Sequence, residues 1–311
     1  MNPQPTTVCT LFEGHHHLGL GALANSLFAQ GYSGVLWAGF RGALPPWAQP
    51  SQPSGATTEF QVAEGFSIRF IPLDTGLHFA NYKPVFMLDV LRQHCPEAGS
   101  LTYFDPDIVL KCAWSFFPQW LACGIALCED VNSPMPATHP IRHHWRQCAA
   151  KKGVSLTHGL HSYINSGFVG LARTDLAFLE LWAGMLDLVG EEIGDLHRFH
   201  LPPRPYPFSN CDQDALNMAL MSGHFSISLL GREGMDFQPG GWTMSHAIGI
   251  QKPWMKCAIM EALRGRPPSA ADKGFWQNTA GPIRLYTPVS RLIHRLDLLA
   301  ASGLSRFIRK A

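Results

Sequence analysis

Two pairs of carboxylates spaced by one residue stand in this chain, Asp105-Pro106-Asp107 and Asp212-Gln213-Asp214. The first follows the apolar run Leu101–Phe104, so its carboxylates are expected at a strand end, where residues i and i+2 of extended chain point to one side. Pro106 fixes its own backbone and pushes Asp105 toward the extended region. Adjacent carboxylates repel each other unless a cation lies between them, so the pattern suits a hard divalent metal. Alone it is weak. With 13 aspartates in 311 residues, about half of one such pair arises by chance, and a solvated turn is then the plainer reading.

The elements that must position these residues alternate in type. Val8–Phe12 reads as a strand, Glu13–His17 as a turn, the stretch from about Leu20 to Gly31 as an apolar helix, and Gly34–Ala38 as a second strand. This order marks an α/β sheet. Phe66–Pro72, Leu101–Phe104, Ala122–Cys128 and Phe168–Leu171 read as further strands. Tyr82–His94 and Asp175–Val189 read as helices. The stretches 42–55 and 197–210, each with four prolines, read as irregular loops.

Other motifs follow the first carboxylate pair in a set order: Asn165-Ser166-Gly167-Phe168-Val169, then Asp212-Gln213-Asp214-Ala215-Leu216-Asn217, then His246-Ala247-Ile248-Gly249 and Lys252-Pro253-Trp254. In this order, from about Thr7 to Trp254, the chain resembles the nucleotide-sugar glycosyltransferases of family 8. The resemblance implies a GT-A type α/β fold, a single domain with a mixed, mostly parallel sheet flanked by helices, over residues 1–287. A C-terminal helical appendage occupies residues 288–311.

It also implies roles by position. Asp105, Asp107 and His246 would bind manganese, with magnesium next, since carboxylate oxygens with one imidazole suit those ions better than zinc. Lys252 would contact the donor diphosphate. Asp212 and Gln213 fall where the family contacts the sugar near its anomeric carbon, and Asn165 beside the sugar. Gly249 belongs to the donor element, and Lys83, just before a helix, to the family's basic donor contact. Sugar transfer builds negative charge on the leaving diphosphate and positive charge on the ring. Metal and lysine answer the first, carboxylate and amide oxygens the second. A neutral amide at Gln213 favours a retaining, front-face transfer over a covalent intermediate.

The first loop departs from the family. Where acidic and aromatic residues usually hold the base, this chain has Glu13-Gly14-His15-His16-His17. His15 and His16 are candidate base contacts, with a surface turn as the alternative. A uridine diphosphate sugar is the family's donor, and this loop leaves the base open. Gly14, Gly19 and Gly21 form a degraded dinucleotide fingerprint, which the missing acidic residue after Gly34–Ala38 argues against. Asp130, after a buried strand, is a candidate sugar or acceptor contact, or else a cap. The cluster His139, Arg142, His143, His144 and Arg146 is expected on a solvated helix face, with attraction of an anionic acceptor as the alternative.

Composition narrows the class. Lys+Arg 24 against Asp+Glu 23, with only 15% charged residues, argues against nucleic acid as a partner. The eight cysteines are dispersed, with neither zinc-ribbon nor disulfide spacing, so free thiols and a cytoplasmic setting are expected. No secretory signal is read in residues 1–10, and the uncharged stretch 14–40 carries too many polar residues and glycines for a membrane span. The last residues, 289–311, hold Arg291, Arg295, Arg306, Arg309 and Lys310 against Asp297, a balance of +4. With apolar residues at helical spacing, they suggest either a packed final helix or peripheral contact with anionic lipid at the inner membrane face. The expected partners are a nucleotide-sugar donor and a glycan, lipid-linked or small-molecule acceptor. The rival functions are a metal-dependent phosphate-ester hydrolase and a catalytically silent sugar-nucleotide binder.

Overall fold

The computed structural model describes residues 6–48, 58–198 and 207–308. Numbered in chain order, its strands are β1 (Thr6–Glu13), β2 (Gly34–Arg41), β3 (Thr58–Ala63), β4 (Phe66–Pro72), β5 (Ser100–Phe104), β6 (Ile108–Leu110), β7 (Ile125–Glu129), β8 (Ile164–Ala172), β9 (Ile227–Leu230) and β10 (Met244–His246). The α-helices are α1 (His17–Ala29), α2 (Phe79–Asp89), α3 (Phe116–Leu121), α4 (Pro140–Lys151), α5 (Leu176–Ile193), α6 (Cys211–Ser222), α7 (Ala258–Leu263), α8 (Ala270–Gln277) and α9 (Pro288–Leu304). The class is α/β as expected, with mixed sheet flanked by helices.

The chain divides into two compact units. Unit 1 holds residues 1–11, 73–104 and 116–232; unit 2 holds 12–72, 105–115 and 233–311. In unit 1 the strand order is β1-β5-β8-β7-β9. β1 and β5 run parallel, β8 runs antiparallel to both β5 and β7, and β9 is parallel to β7. Its core includes the rings of Phe104, Phe117, Trp120 and Phe168, with Trp120 stacked on Phe168 at 5.0 Å. In unit 2, β4 pairs parallel with β2 and antiparallel with β3, and β6 pairs antiparallel with β10.

Several expectations shift in register. The run Val90–His94 continues α2 as a wider π turn, so the helix starts at Phe79 and Lys83 lies inside it, buried, rather than before it. Ala122–Gly124 is turn, and β7 starts at Ile125. The helix α4 is not a solvated basic face. Arg142 is fully buried, with Nε on the Met135 carbonyl at 3.2 Å and Nη2 on that of Ser162 at 2.6 Å, and burial lowers its pKa to about 10. Arg146 donates to the Ala137 carbonyl at 2.9 Å. Both guanidiniums are spent tying loops to the helix. The two proline-rich loops fall largely on residues 49–57 and 199–206, outside the described residues, as do Arg309 and Lys310.

Candidate functional site

In unit 2 the shortest strands make the densest site. β6 and β10 pair so that His246 faces Ile108 and Ser245 faces Val109, and the Ala247 amide donates to the Asp107 carbonyl at 3.1 Å. Asp105-Pro106-Asp107 is a turn rather than extended chain, closed by the Ile108 amide on the Asp105 carbonyl at 3.0 Å. The turn, not strand alternation, brings the two carboxylates together. His246 Nε2 lies 3.6 Å from Asp105 Oδ2 and 3.3 Å from Asp107 Oδ1. One ligand atom from each of the three residues lies within 4.8 Å of the others.

Lys252 Nζ sits 2.5 Å from Asp107 Oδ2 and donates to the Ala247 carbonyl at 2.9 Å. Burial alone would raise the Asp107 carboxyl, but the Lys252 and His246 charges outweigh it and hold it well below the usual range. Asp107 is thus a committed carboxylate. The ring nitrogen His246 Nδ1 is buried with no hydrogen-bond partner. Two carboxylates and one imidazole fit a hard to borderline divalent ion such as manganese or magnesium.

Sequence reasoning missed what supports this cluster. Asp236, in the left-handed region at φ 59°, accepts from Lys111 Nζ at 2.8 Å and from the Ser245 hydroxyl. It thereby braces β10 from behind, and Phe237 lies 5.8 Å from the His246 ring. Of the glycines Gly14, Gly19 and Gly21, the two inside α1 have steric work. A Cβ on Gly19 would lie 2.5 Å from the Pro106 carbonyl oxygen, and one on Gly21 2.4 Å from Leu285, so α1 approaches the turn only because Gly19 is bare. In the same unit the His16 ring meets Trp254 edge to face at 5.6 Å, and Glu13 pairs with Arg41 at 2.7 Å. His15 lies 6.5 Å from His17, ring to ring. Gly249 has φ of 94°, open space where a Cβ would stand, and belongs to the bend between His246 and Lys252.

In unit 1 a second polar cluster gathers where the first turn of α6 meets β8. Asp212 is buried and accepts from Ser166 Oγ at 2.6 Å and Lys83 Nζ at 3.1 Å. Lys83 Nζ also reaches the Ser166 carbonyl at 3.2 Å and hydroxyl at 3.3 Å, so its donors are engaged within the protein. Gln213 Oε1 accepts from the Ser166 amide at 3.2 Å. Its Nε2 is buried without a partner of hydrogen-bonding geometry, although it lies near enough to Tyr163 to favour that residue's ionised form.

Asn165 donates to Asp130 Oδ2 at 2.8 Å and accepts from the Gly167 amide. Asp130 also caps the following turn through the Asn132 amide at 2.9 Å, so the capping role and the contact to Asn165 coexist. Asp214 accepts from the Tyr163 hydroxyl at 2.6 Å, and burial, reinforced by the Asp214 charge, pushes that phenol well up. Asn217 bonds both backbone groups of Ile164 at 3.0 Å. Thus the DQDALN run uses Asn217 to fasten α6 to the start of β8 and Asp214 to fasten it to Tyr163 just before that strand, while Asp212 and Gln213 meet Ser166.

No family model matches the sequence, and no curated protein matches it. Solved structures do. The apo structure of the bifunctional glycosyltransferase WbbM is similar, with a TM-score of 0.54 at 14% identity over 96% of this chain and 53% of that one. The chain therefore spans about half the length of WbbM. The galactosyltransferase LgtC, solved in complex with donor and acceptor sugar analogs, has a TM-score of 0.52 at 14% identity, covering 93% of this chain and 99% of that one. With ten strands and nine α-helices among its described residues, the chain has the GT-A type fold of these glycosyltransferases.

Proposed function

We propose that this chain is a metal-dependent, retaining glycosyltransferase that moves a hexosyl group from a nucleotide sugar to a glycan, lipid-linked or small-molecule acceptor. The observation that carries the reading is the convergence of Asp105, Asp107 and His246 beside Lys252 in a chain with a glycosyltransferase fold. Asp105, Asp107 and His246 Nε2 would hold manganese or magnesium, which when bound supplies positive charge against the leaving diphosphate. Lys252 adds a second positive charge. Its ammonium rests on Asp107 and the Ala247 carbonyl, so a diphosphate oxygen would draw it from a carboxylate it already neutralises.

Asp212 and Gln213 serve the sugar. Asp212 carries its negative charge in a buried pair with Lys83, with Ser166 holding its orientation, which suits stabilisation of ring charge better than covalent attack. Gln213 keeps one Oε1 lone pair beyond the Ser166 bond and an unpartnered Nε2 donor, enough to face the ring and a sugar hydroxyl. Asn165, held by Asp130, lines the same role. His15, His16 and Gly249 contact the nucleotide, with a uridine diphosphate sugar the first donor to test.

Residues 1–287 carry the transfer, and 288–311 dock the enzyme peripherally on the inner face of a membrane. No helix among the described residues is long and apolar enough to cross one. The outer side of α9 nevertheless exposes Val289, Leu292, Ile293, Leu296 and Leu299, each 56–68% exposed, beside Arg291 and Arg295.

The deciding experiment incubates the protein with a panel of sugar nucleotides and manganese and measures slow donor hydrolysis, then transfer with the configuration at the anomeric carbon read by NMR. Turnover that chelator abolishes and manganese restores supports the reading. Turnover of simple phosphate esters alone would mean a hydrolase, and donor binding without turnover a silent binder.

A further inference from the structure

Unit 1 holds a second set of metal-ligating side chains, none of which serves sugar transfer. His144 and Cys148 lie four residues apart on α4 and so project from one face, a turn apart. Glu192, at the end of α5, faces them, and one ligand atom from each of the three lies within 4.8 Å of the others. The set has a built interior and an open door. Cys148 is buried and His144 half-buried, its ring edge-on to Phe208 at 6.1 Å, while Glu192 is exposed.

We infer that His144, Cys148 and Glu192 form a binding site for a zinc-like divalent cation, which clamps α4 to the end of α5. A thiolate with an imidazole and a carboxylate selects a borderline ion such as zinc over manganese or magnesium. The site therefore differs in kind from the Asp105, Asp107 and His246 set. Zinc bonds of about 2.0–2.3 Å to tetrahedral ligands need ligand atoms about 3.3–3.8 Å apart, a closure that a rotamer adjustment of exposed Glu192 supplies.

Without the ion, Cys148 hydrogen-bonds Glu192, and burial with the Glu192 charge pushes its thiol up to about 11. Lys151 Nζ then neutralises Glu192, at 3.2 and 3.3 Å from its two oxygens. Binding releases the thiol proton to solvent and frees Lys151, whose long side chain is 61% exposed. Three protein ligands leave the fourth position to water.

The test uses the full chain stripped by chelator, with cobalt(II) as an optical probe and zinc followed by calorimetry. A thiolate-to-cobalt charge-transfer band at one equivalent is expected, with proton release that varies with the buffer. Cys148→Ser should abolish the band. Glu192→Gln, at an exposed position that leaves folding intact, and His144→Ala should each weaken zinc by about tenfold or more. The band should survive Asp107→Asn, and also the Cys123→Ser, Cys257→Ser double variant that removes the two exposed thiols. Zinc should raise Tm in the parent and not in Glu192→Gln. Absence of a thiolate band, a band that Glu192→Gln and His144→Ala leave unchanged, or one lost with Cys123 and Cys257 would overturn the assignment.

Discussion

Asp107 is the residue on which three others converge: His246 on one oxygen, Lys252 on the other, and the Ala247 amide on its carbonyl. Asp107→Asn keeps the shape and removes the charge. Calorimetry should show manganese binding lost in this variant and in His246→Ala, and unchanged binding in both would sink the metal assignment. The buried pair Lys83–Asp212 makes a different prediction. Lys83→Met leaves Asp212 buried with only the Ser166 hydroxyl, and breaking such a pair from one side typically costs about 3–5 kcal/mol. Urea unfolding should read that loss even without substrate, separating a structural from a donor-binding role. If Gln213 acts at the reacting carbon as proposed, Gln213→Ala should lower kcat by about 10- to 100-fold with donor affinity little altered. A variant whose sole defect is weak donor binding would place Gln213 elsewhere.

At the scale of elements, the site depends on a pair of three-residue strands far apart in sequence and on a helix that packs closely through a glycine. α1 packs on β6, with Ser26 Oγ accepting from the Leu110 amide at 3.0 Å, and Gly19 admits the carbonyl of Pro106. Gly19→Ala should therefore move the turn that carries Asp105 and Asp107. Overpacking of this kind costs about 1–3 kcal/mol, so a lowered Tm together with weakened manganese binding is the expected outcome. A variant with normal manganese binding would show that the turn holds its shape without α1. The strands β1, β2, β4 and β5 were legible because each is a run of apolar and β-branched residues bounded by turn signals. β6 and β10 were not, since three residues carry no periodicity, and their pairing is visible only once Asp107 and His246 are neighbours. α6 escaped for another reason: every residue from Cys211 to Met221 is buried, so no polar face betrays a helical period. The order of its motif, rather than its pattern, pointed to Asp212 and Gln213.

Across the whole molecule the charges are uneven, with the last 23 residues at +4 and the rest at −3. Apolar residues recur there at helical spacing, and α9 presents them on two faces. Its inner face packs Leu298, Ala301 and Leu304 with α7, stacks His294 on Trp276 at 3.9 Å, and caps α7 by Asp297 on the Ala258 amide at 2.6 Å. A packed final helix and a lipid-facing one are therefore compatible readings of the same sequence. The two faces also decide how membrane docking must be tested. Truncation after Thr287 would strip the cover from α7 and α8 and confound binding with unfolding. Leu292→Ser with Leu296→Ser alters only side chains 58% and 56% exposed, so the unfolding free energy should stay within about 1 kcal/mol of the parent's. Sedimentation with anionic vesicles should pull down the parent and leave most of this variant in the supernatant, and raised salt should weaken the parent's binding as Arg291 and Arg295 are screened. Equal sedimentation of parent and variant, or of neither, would remove lipid as the partner of α9 and turn the search for the acceptor toward soluble glycans.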